Sequence, residues 1–114
     1  MNSWMDRFFY VCGSKLAGKI GASVVNARRA GTTASLERMN QYYQIVNMVT
    51  PGSQYWNMTH GFTPDDVRQD IEGLQIMRTL GRNIAWLLKC IDAGRKAGIE
   101  YPEMEPITYT HFIR

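Results

Sequence analysis

Gly18-Lys19-Ile20-Gly21-Ala22-Ser23-Val24-Val25-Asn26-Ala27-Arg28-Arg29-Ala30-Gly31-Thr32-Thr33 is the stretch on which the fold turns. Ile20 to Val25 is a short, mostly apolar run bounded by Gly18 and Asn26, the pattern of a strand buried on both faces of a sheet. Two arginines, a glycine and two threonines follow. The threonines are candidate helix N-caps, so the order reads strand, cationic loop, helix. Open α/β sheets bind ligands at the carboxyl ends of their strands. The free N–H groups at a helix start add partial positive charge there. The loop after Val25 therefore predicts an anionic ligand, and nothing earlier in the chain supplies a first strand with a phosphate loop.

Working outward, residues 1 to 11 carry Trp4, Met5, Phe8, Phe9 and Val11 on a helical stripe that begins without a cap. Cys12 to Gly18 reads as a loop. On the other side, Leu36, Met39, Tyr43 and Val46 predict a helix from Thr33 to about Asn47. Met48 to Thr50 is expected as a second strand, stopped by Pro51 and Gly52. Ser53 to Phe62 reads as an irregular loop rich in aromatic residues. Thr63-Pro64-Asp65-Asp66 is a strong helix start, with a capping threonine, a first-turn proline and two acids at the positive end of the dipole.

One continuous helix is expected from there, along Val67, Ile71, Leu74, Met77, Leu80, Ile84, Leu87 and Ile91. Gly98 closes it. Ile76, Trp86, Leu88 and Cys90 widen this stripe beyond what one sheet face needs, and Gly73 and Gly81 suggest close contact or a kink. Residues 101 to 114, with Pro102 and Pro106, read as a tail whose end alternates enough to extend.

The 114 residues suffice for one domain, and 45% hydrophobic with 20% charged residues is ordinary globular composition. A net charge of +3, scattered along the chain, is too small to argue for nucleic acid by itself and leaves it a third, weak reading. No apolar run is long enough for a membrane span, and no secretory pattern opens the chain. Cys12 and Cys90 lack metal-ligand spacing and read as free, buried thiols of a cytoplasmic protein, with a structural disulfide as the less favoured alternative. His60 and His111 are isolated, which argues against a metal site. Asp65, Asp66, Asp70 and Glu72 are explained by a helix start. No Ser-His-Asp arrangement is recognisable.

These residues carry a family likeness. The order Met1-x-x-Trp4-Met5-Asp6-Arg7, Gly18-Lys19-x-Gly21-Ala22, Ala27-Arg28-Arg29-Ala30-Gly31, Ser53-Gln54-Tyr55-Trp56-Asn57, Asp70-Ile71-Glu72-Gly73 and Gly81-Arg82-Asn83-Ile84-Ala85-Trp86 resembles the C-terminal half of flavodoxin-like NAD(P)H-dependent FMN reductases. Iron–sulfur flavoproteins belong to the same group, and the closing Thr110-His111-Phe112-Ile113-Arg114 is similar to the end of many such chains.

The resemblance implies an α/β, doubly wound parallel sheet with flavin at the carboxyl ends of its strands. Here that sheet would be incomplete, limited to the last two strands and their helices. It implies that the isoalloxazine ring of FMN lies against the loop matched by Asn26, Ala27, Arg28, Arg29, Gly31, Thr32 and Thr33. The family's phosphate loop, and the cysteines that hold an iron–sulfur cluster in some relatives, have no counterpart here, so no cluster is expected.

In this class flavin N5 accepts hydride from NAD(P)H and passes electrons to a small acceptor. No side chain is required as catalyst. Arg28 and Arg29 are read either as stabilising negative charge at the ring or a nucleotide phosphate, or as solvated loop arginines. Gly31 either lets the backbone approach a flat ring or makes an ordinary turn. Tyr55 and Trp56 are read as stacking on flavin, filling a subunit interface, or packing without a ligand. Two strands leave edges and faces unpaired, so the chain is expected to assemble with itself or with a separate N-terminal half. A non-catalytic assembly module is the alternative to an enzyme.

Overall fold

The computed structural model describes residues 2–113. Met1 and Arg114, the ends of the expected first helix and of the tail, lie outside the described residues. Helix α1 spans Asn2–Cys12 and buries Met5 and Phe9. A single 3-10 turn, Gly13–Lys15, leads into the extended segment. Strand β1 is Val25–Ala27, helix α2 is Thr32–Ile45 and strand β2 is Met58–His60. Helix α3, Pro64–Gln69, and helix α4, Ile71–Lys96, complete the order. The chain is α/β, with a two-stranded parallel sheet. Parallel pairing needs a crossover, and α2 supplies it.

Three expectations are corrected by the strands. The apolar run Ile20 to Val25 is not itself the strand: it makes one bridge, Ile20 to Val49, and the ladder begins at its last residue. Met48 to Thr50 contributes only the Val49 side of that bridge. The true second strand lies inside Ser53 to Phe62, the segment expected to be irregular. Between the bridge and the ladder the first segment advances five residues and the second nine. The four extra residues leave the sheet as a detour, which is where Tyr55 and Trp56 sit.

The helix starts are corrected as well. The N-cap of α2 is Gly31, in the left-handed region at φ 92°, with no capping side chain. The threonines expected there are the first helical residues instead. The helix expected to run unbroken from Thr63 is two helices. Thr63 and Asp66 form a reciprocal capping box at α3, which stops after six residues. Asp70 then starts α4, its carboxylate accepting from Gly73 N–H at 2.9 Å. The apolar stripe crosses this break without interruption. Gly81 has open space around it, whereas Gly73 is closely packed.

The core lies between α1 and α2. Met5, Phe9, Tyr42 and Tyr43 are buried together, with Leu16, Met39, Val46 and Met48 packed around them. Phe9 stacks on Tyr42 at 5.2 Å between ring centres. Tyr42 donates its hydroxyl to Asp6, and Arg38 lies over the Tyr42 ring at 5.0 Å. The Asp6 hydrogen bond, followed by desolvation, raises the Tyr42 pKa above the usual phenol value. A second, smaller packing joins Ile76 and Leu80 of α4 to the sheet beside Met58.

Ser23 is buried, and its hydroxyl meets Tyr43 Oη at 2.6 Å. Tyr43 Oη also donates to Ala22 C=O at 3.2 Å. Replacing Tyr43 by Phe strands the Ser23 hydroxyl, so Tyr43→Phe is expected to cost about 1–2 kcal/mol in urea unfolding with an unchanged m value. An unaltered midpoint would show that this bond does not anchor the extended segment.

The packing is thin. The radius of gyration is 17.3 Å, against about 13 Å for a compact chain of this length. The molecule measures 49 × 47 × 22 Å, a slab. Trp4, Tyr10 and Val11 on α1 and Ile71, Trp86 and Leu88 on α4 are exposed. The cysteines are free, but the burial expected for them is not found: Cys12 is half-buried and Cys90 exposed. Residues 101 to 113 carry no regular secondary structure. The tail is pinned at its start, where the Tyr101 ring lies against Gly18 and its hydroxyl donates to Asn47 C=O at 3.2 Å.

Candidate functional site

Because the strands are parallel, both carboxyl ends open on one side. The β1 end runs into Arg28-Arg29-Ala30-Gly31, and the β2 end into Gly61 and Phe62. The two loops are tied together. Asn26 donates from Nδ2 to Gly61 C=O at 3.1 Å and accepts on Oδ1 from Thr59 Oγ1 at 3.0 Å. Arg28 crosses the same gap and lays its guanidinium over the Phe62 ring, 5.0 Å from its centre.

Arg28, Arg29 and Ala30 are exposed, as is Gly31, whose Cα faces space free of other atoms. Thr32 is buried and Thr33 half-buried. The first amides of α2 have no intrahelical partners, so the loop presents cationic side chains and aligned N–H dipoles together. Among the described residues, neither arginine is in an ion pair.

The expected site residues thus fall into two groups. Asn26, Ala27, Arg28, Arg29, Gly31, Thr32 and Thr33 are contiguous at the carboxyl end of β1. Tyr55 and Trp56 precede β2 on the detour. Their rings are tilted together at 4.9 Å, and both are about half exposed. The detour is fastened to α4 by Thr79 Oγ1 on Gln54 Oε1 at 2.6 Å and by Asn83 Nδ2 donating to Gly52 C=O at 2.8 Å. Tyr55 borders two hollows. One of about 200 Å³ lies against Leu36 and Asn40 of α2. The other, of about 230 Å³, contains Met58, His60, Asp70, Glu72 and Ile76. Neither hollow includes an arginine.

Asp70 is the residue that sequence reasoning undervalued. Its Oδ1 accepts from Gly73 N–H, and its Oδ2 accepts from His60 N–H at 2.6 Å. One carboxylate therefore caps α4 and ties off the outer edge of β2. These bonds, Gly73 first and His60 second, hold its pKa below the usual carboxylate range. Asp66 is lowered in the same way by the Thr63 and Phe62 N–H groups. The sequence signal for Asp70 was an acid three residues before a glycine, which alone indicates a cap but not the strand contact. Phe62 left no signal beyond its aromatic character.

Among the described residues no three His, Cys, Asp or Glu side chains gather as a metal site. Nor is any helix long and apolar enough to cross a membrane.

No protein-family model matches the chain, and no solved structure matches it significantly. A curated relative does. An iron–sulfur flavoprotein of Methanocaldococcus jannaschii is 27% identical over 86 residues, which cover 69% of this chain and 45% of that protein. The chain thus spans under half the length of this curated relative.

Proposed function

We propose that this chain is the C-terminal portion of an FMN-dependent NAD(P)H oxidoreductase of flavodoxin-like fold. The observation that carries the reading is the cationic loop at the carboxyl end of a parallel strand pair, running straight into the α2 N-terminus. The distant likeness to an iron–sulfur flavoprotein agrees with it. The loop suits the polar edge of a flavin ring. Arg29 and the Thr32 and Thr33 amides offer donors to negative charge, and the open face of Gly31 admits a flat ring.

Asn26 and Ala27 would contribute backbone, since the Asn26 side chain is already engaged with β2. Arg28, held over Phe62, would keep the loop at a fixed height above the ring. Tyr55 and Trp56 would flank a ring supplied across a subunit contact. A bound flavin would supply hydride transfer from NAD(P)H to a small electron acceptor. Among the described residues there is no second donor cluster suited to the FMN phosphate, so this reading places that group on a partner. The partner is a second copy or a separate N-terminal half, in the cytoplasm.

The test is titration of purified protein with FMN, followed by flavin fluorescence and NAD(P)H oxidation. Quenching is expected. The double variant Arg28→Ala, Arg29→Ala should weaken it about tenfold, the loss of one charge-assisted contact. Folded, self-associated protein that leaves flavin fluorescence unchanged would sink the reading with a second copy as the partner. The alternative, a non-catalytic assembly module on a reductase-like half, is favoured by the thin slab and its exposed Trp4, Trp86 and Leu88. It predicts a colourless protein that still self-associates.

A further inference from the structure

The two edges of the sheet are not equivalent. Val25 N–H donates to Asn57 C=O, and Gly61 N–H donates to Ala27 C=O. In a parallel ladder this alternation turns the peptide groups of Val24 and Asn26 away from β2. The outer edge of β2 is closed, because His60 N–H is taken by Asp70 and α4 packs alongside. The outer edge of β1 is open and borders a groove of about 410 Å³ lined by Ala22, Val24, Val25, Ser35, Met39 and Tyr43. The sheet can grow only on the β1 side.

The chain also carries a strand in search of a sheet. Ile107-Thr108-Tyr109-Thr110-His111-Phe112-Ile113 is rich in β-branched and aromatic residues, and it alternates from Ile107 to Thr110. Ile107, Tyr109 and Ile113 share one face, and all three are more than three-quarters exposed. The segment is preceded by Glu100, Glu103 and Glu105, whereas the open edge ends on Arg28 and Arg29. We propose that Ile107–Ile113 of a second copy pairs antiparallel with the open edge of β1, giving a strand-exchanged dimer.

Charge sets the direction. Antiparallel pairing brings Glu103 and Glu105 beside Arg28 and Arg29. Reach decides between the chain's own tail and a neighbour's. Tyr101 is pinned at Gly18, at the start of the extended segment. The six residues from Tyr101 to Ile107 span at most about 20 Å. The nine residues from Gly18 to Ala27 cover at most about 30 Å. A chain's own tail would have to be drawn out to its limit to bring Ile107 to the Ala27 end that antiparallel pairing requires, whereas a neighbour's tail is not tethered beside this edge. This inference deepens the self-association considered above and does not depend on flavin.

Sedimentation velocity over roughly 1–100 µM with amide hydrogen exchange tests it on the full chain. Wild type should dimerise, with the Val24 and Asn26 amides protected at least about tenfold more in the dimer than in the monomer. The double variant Tyr109→Pro, Thr110→Pro removes adjacent donors far from the core. It should give a folded monomer with both amides unprotected. Glu103→Arg with Glu105→Arg should weaken the dimer, and adding Arg28→Glu with Arg29→Glu should restore it. A wild-type monomer at every concentration overturns both this inference and self-association. A dimer indifferent to the tail prolines overturns strand exchange alone. Protection of the two amides in a monomer overturns it in favour of pairing within one chain.

Discussion

Replacing Asp70 by alanine is expected to lower stability by about 2 kcal/mol, roughly 8 °C in melting temperature. Two separate losses add up to that figure. The α4 start loses its cap, worth about 1 kcal/mol. His60 N–H, at the β2 edge, loses its acceptor, which costs about as much again. Asp70→Asn separates them: it keeps one acceptor oxygen and turns an amide donor on the other N–H, so it should fall between wild type and alanine. An asparagine variant as stable as wild type would show that the carboxylate does not serve both elements.

The acid dependence follows from the lowered pKa of Asp70. A depressed carboxylate contributes its stability above the unfolded pKa of about 3.9 and loses it as pH falls through the lower folded value. The gap between wild type and Asp70→Ala should therefore be constant from neutral pH to about pH 5 and narrow below about pH 4. Chemical denaturation at several pH values measures it.

The second large effect is a contrast between two glycines of one helix. A Cβ on Gly73 would collide with Asp70 Oδ2 and lie 3.0 Å from Thr59 Cγ2. The carboxylate cannot swing aside without releasing Gly73 N–H or His60 N–H. Helix propensity alone gives Gly→Ala a gain of about 1 kcal/mol. At Gly73 the clash should outweigh it, for a net loss of about 2 kcal/mol or more. At Gly81 no atom lies within 4 Å of the added Cβ, and Gly81→Ala should keep most of the gain of about 1 kcal/mol. Opposite signs in paired thermal melts are the expected result. Two stabilising substitutions would mean that α4 does not sit this closely on β2.

Helices were legible in this chain where capping chemistry is local. Thr63, Pro64 and Asp66 announce α3 within four residues, and the α2 stripe from Leu36 to Tyr43 is buried where it was expected to be. Strands were not, because each ladder is only three residues long. Asn26 in β1 and Thr59 and His60 in β2 break any apolar run, since their polar groups are satisfied across the pair and at Asp70. The break at Asp70 was hidden by Val67 and Ile71, which keep helical spacing across a backbone that is not helical there.

The arginine loop was legible as cationic. Its partner Phe62 was not, since nothing in sequence marks which aromatic residue a guanidinium will choose. The breadth of the α4 stripe did signal something real: Trp86, Leu88 and Ile91 remain uncovered.

The detour between Val49 and Met58 has a consequence for divergence. Its residues leave the ladder after one bridge and rejoin it at β2, so insertions or deletions there do not shift the pairing of Val25 with Met58. Tyr55 and Trp56 ride on that length-tolerant segment, while Arg28 and Gly31 ride on a short turn whose spacing is fixed by β1 and α2. Selection can therefore remodel the aromatic half of this surface, while the cationic half stays tied to the fold.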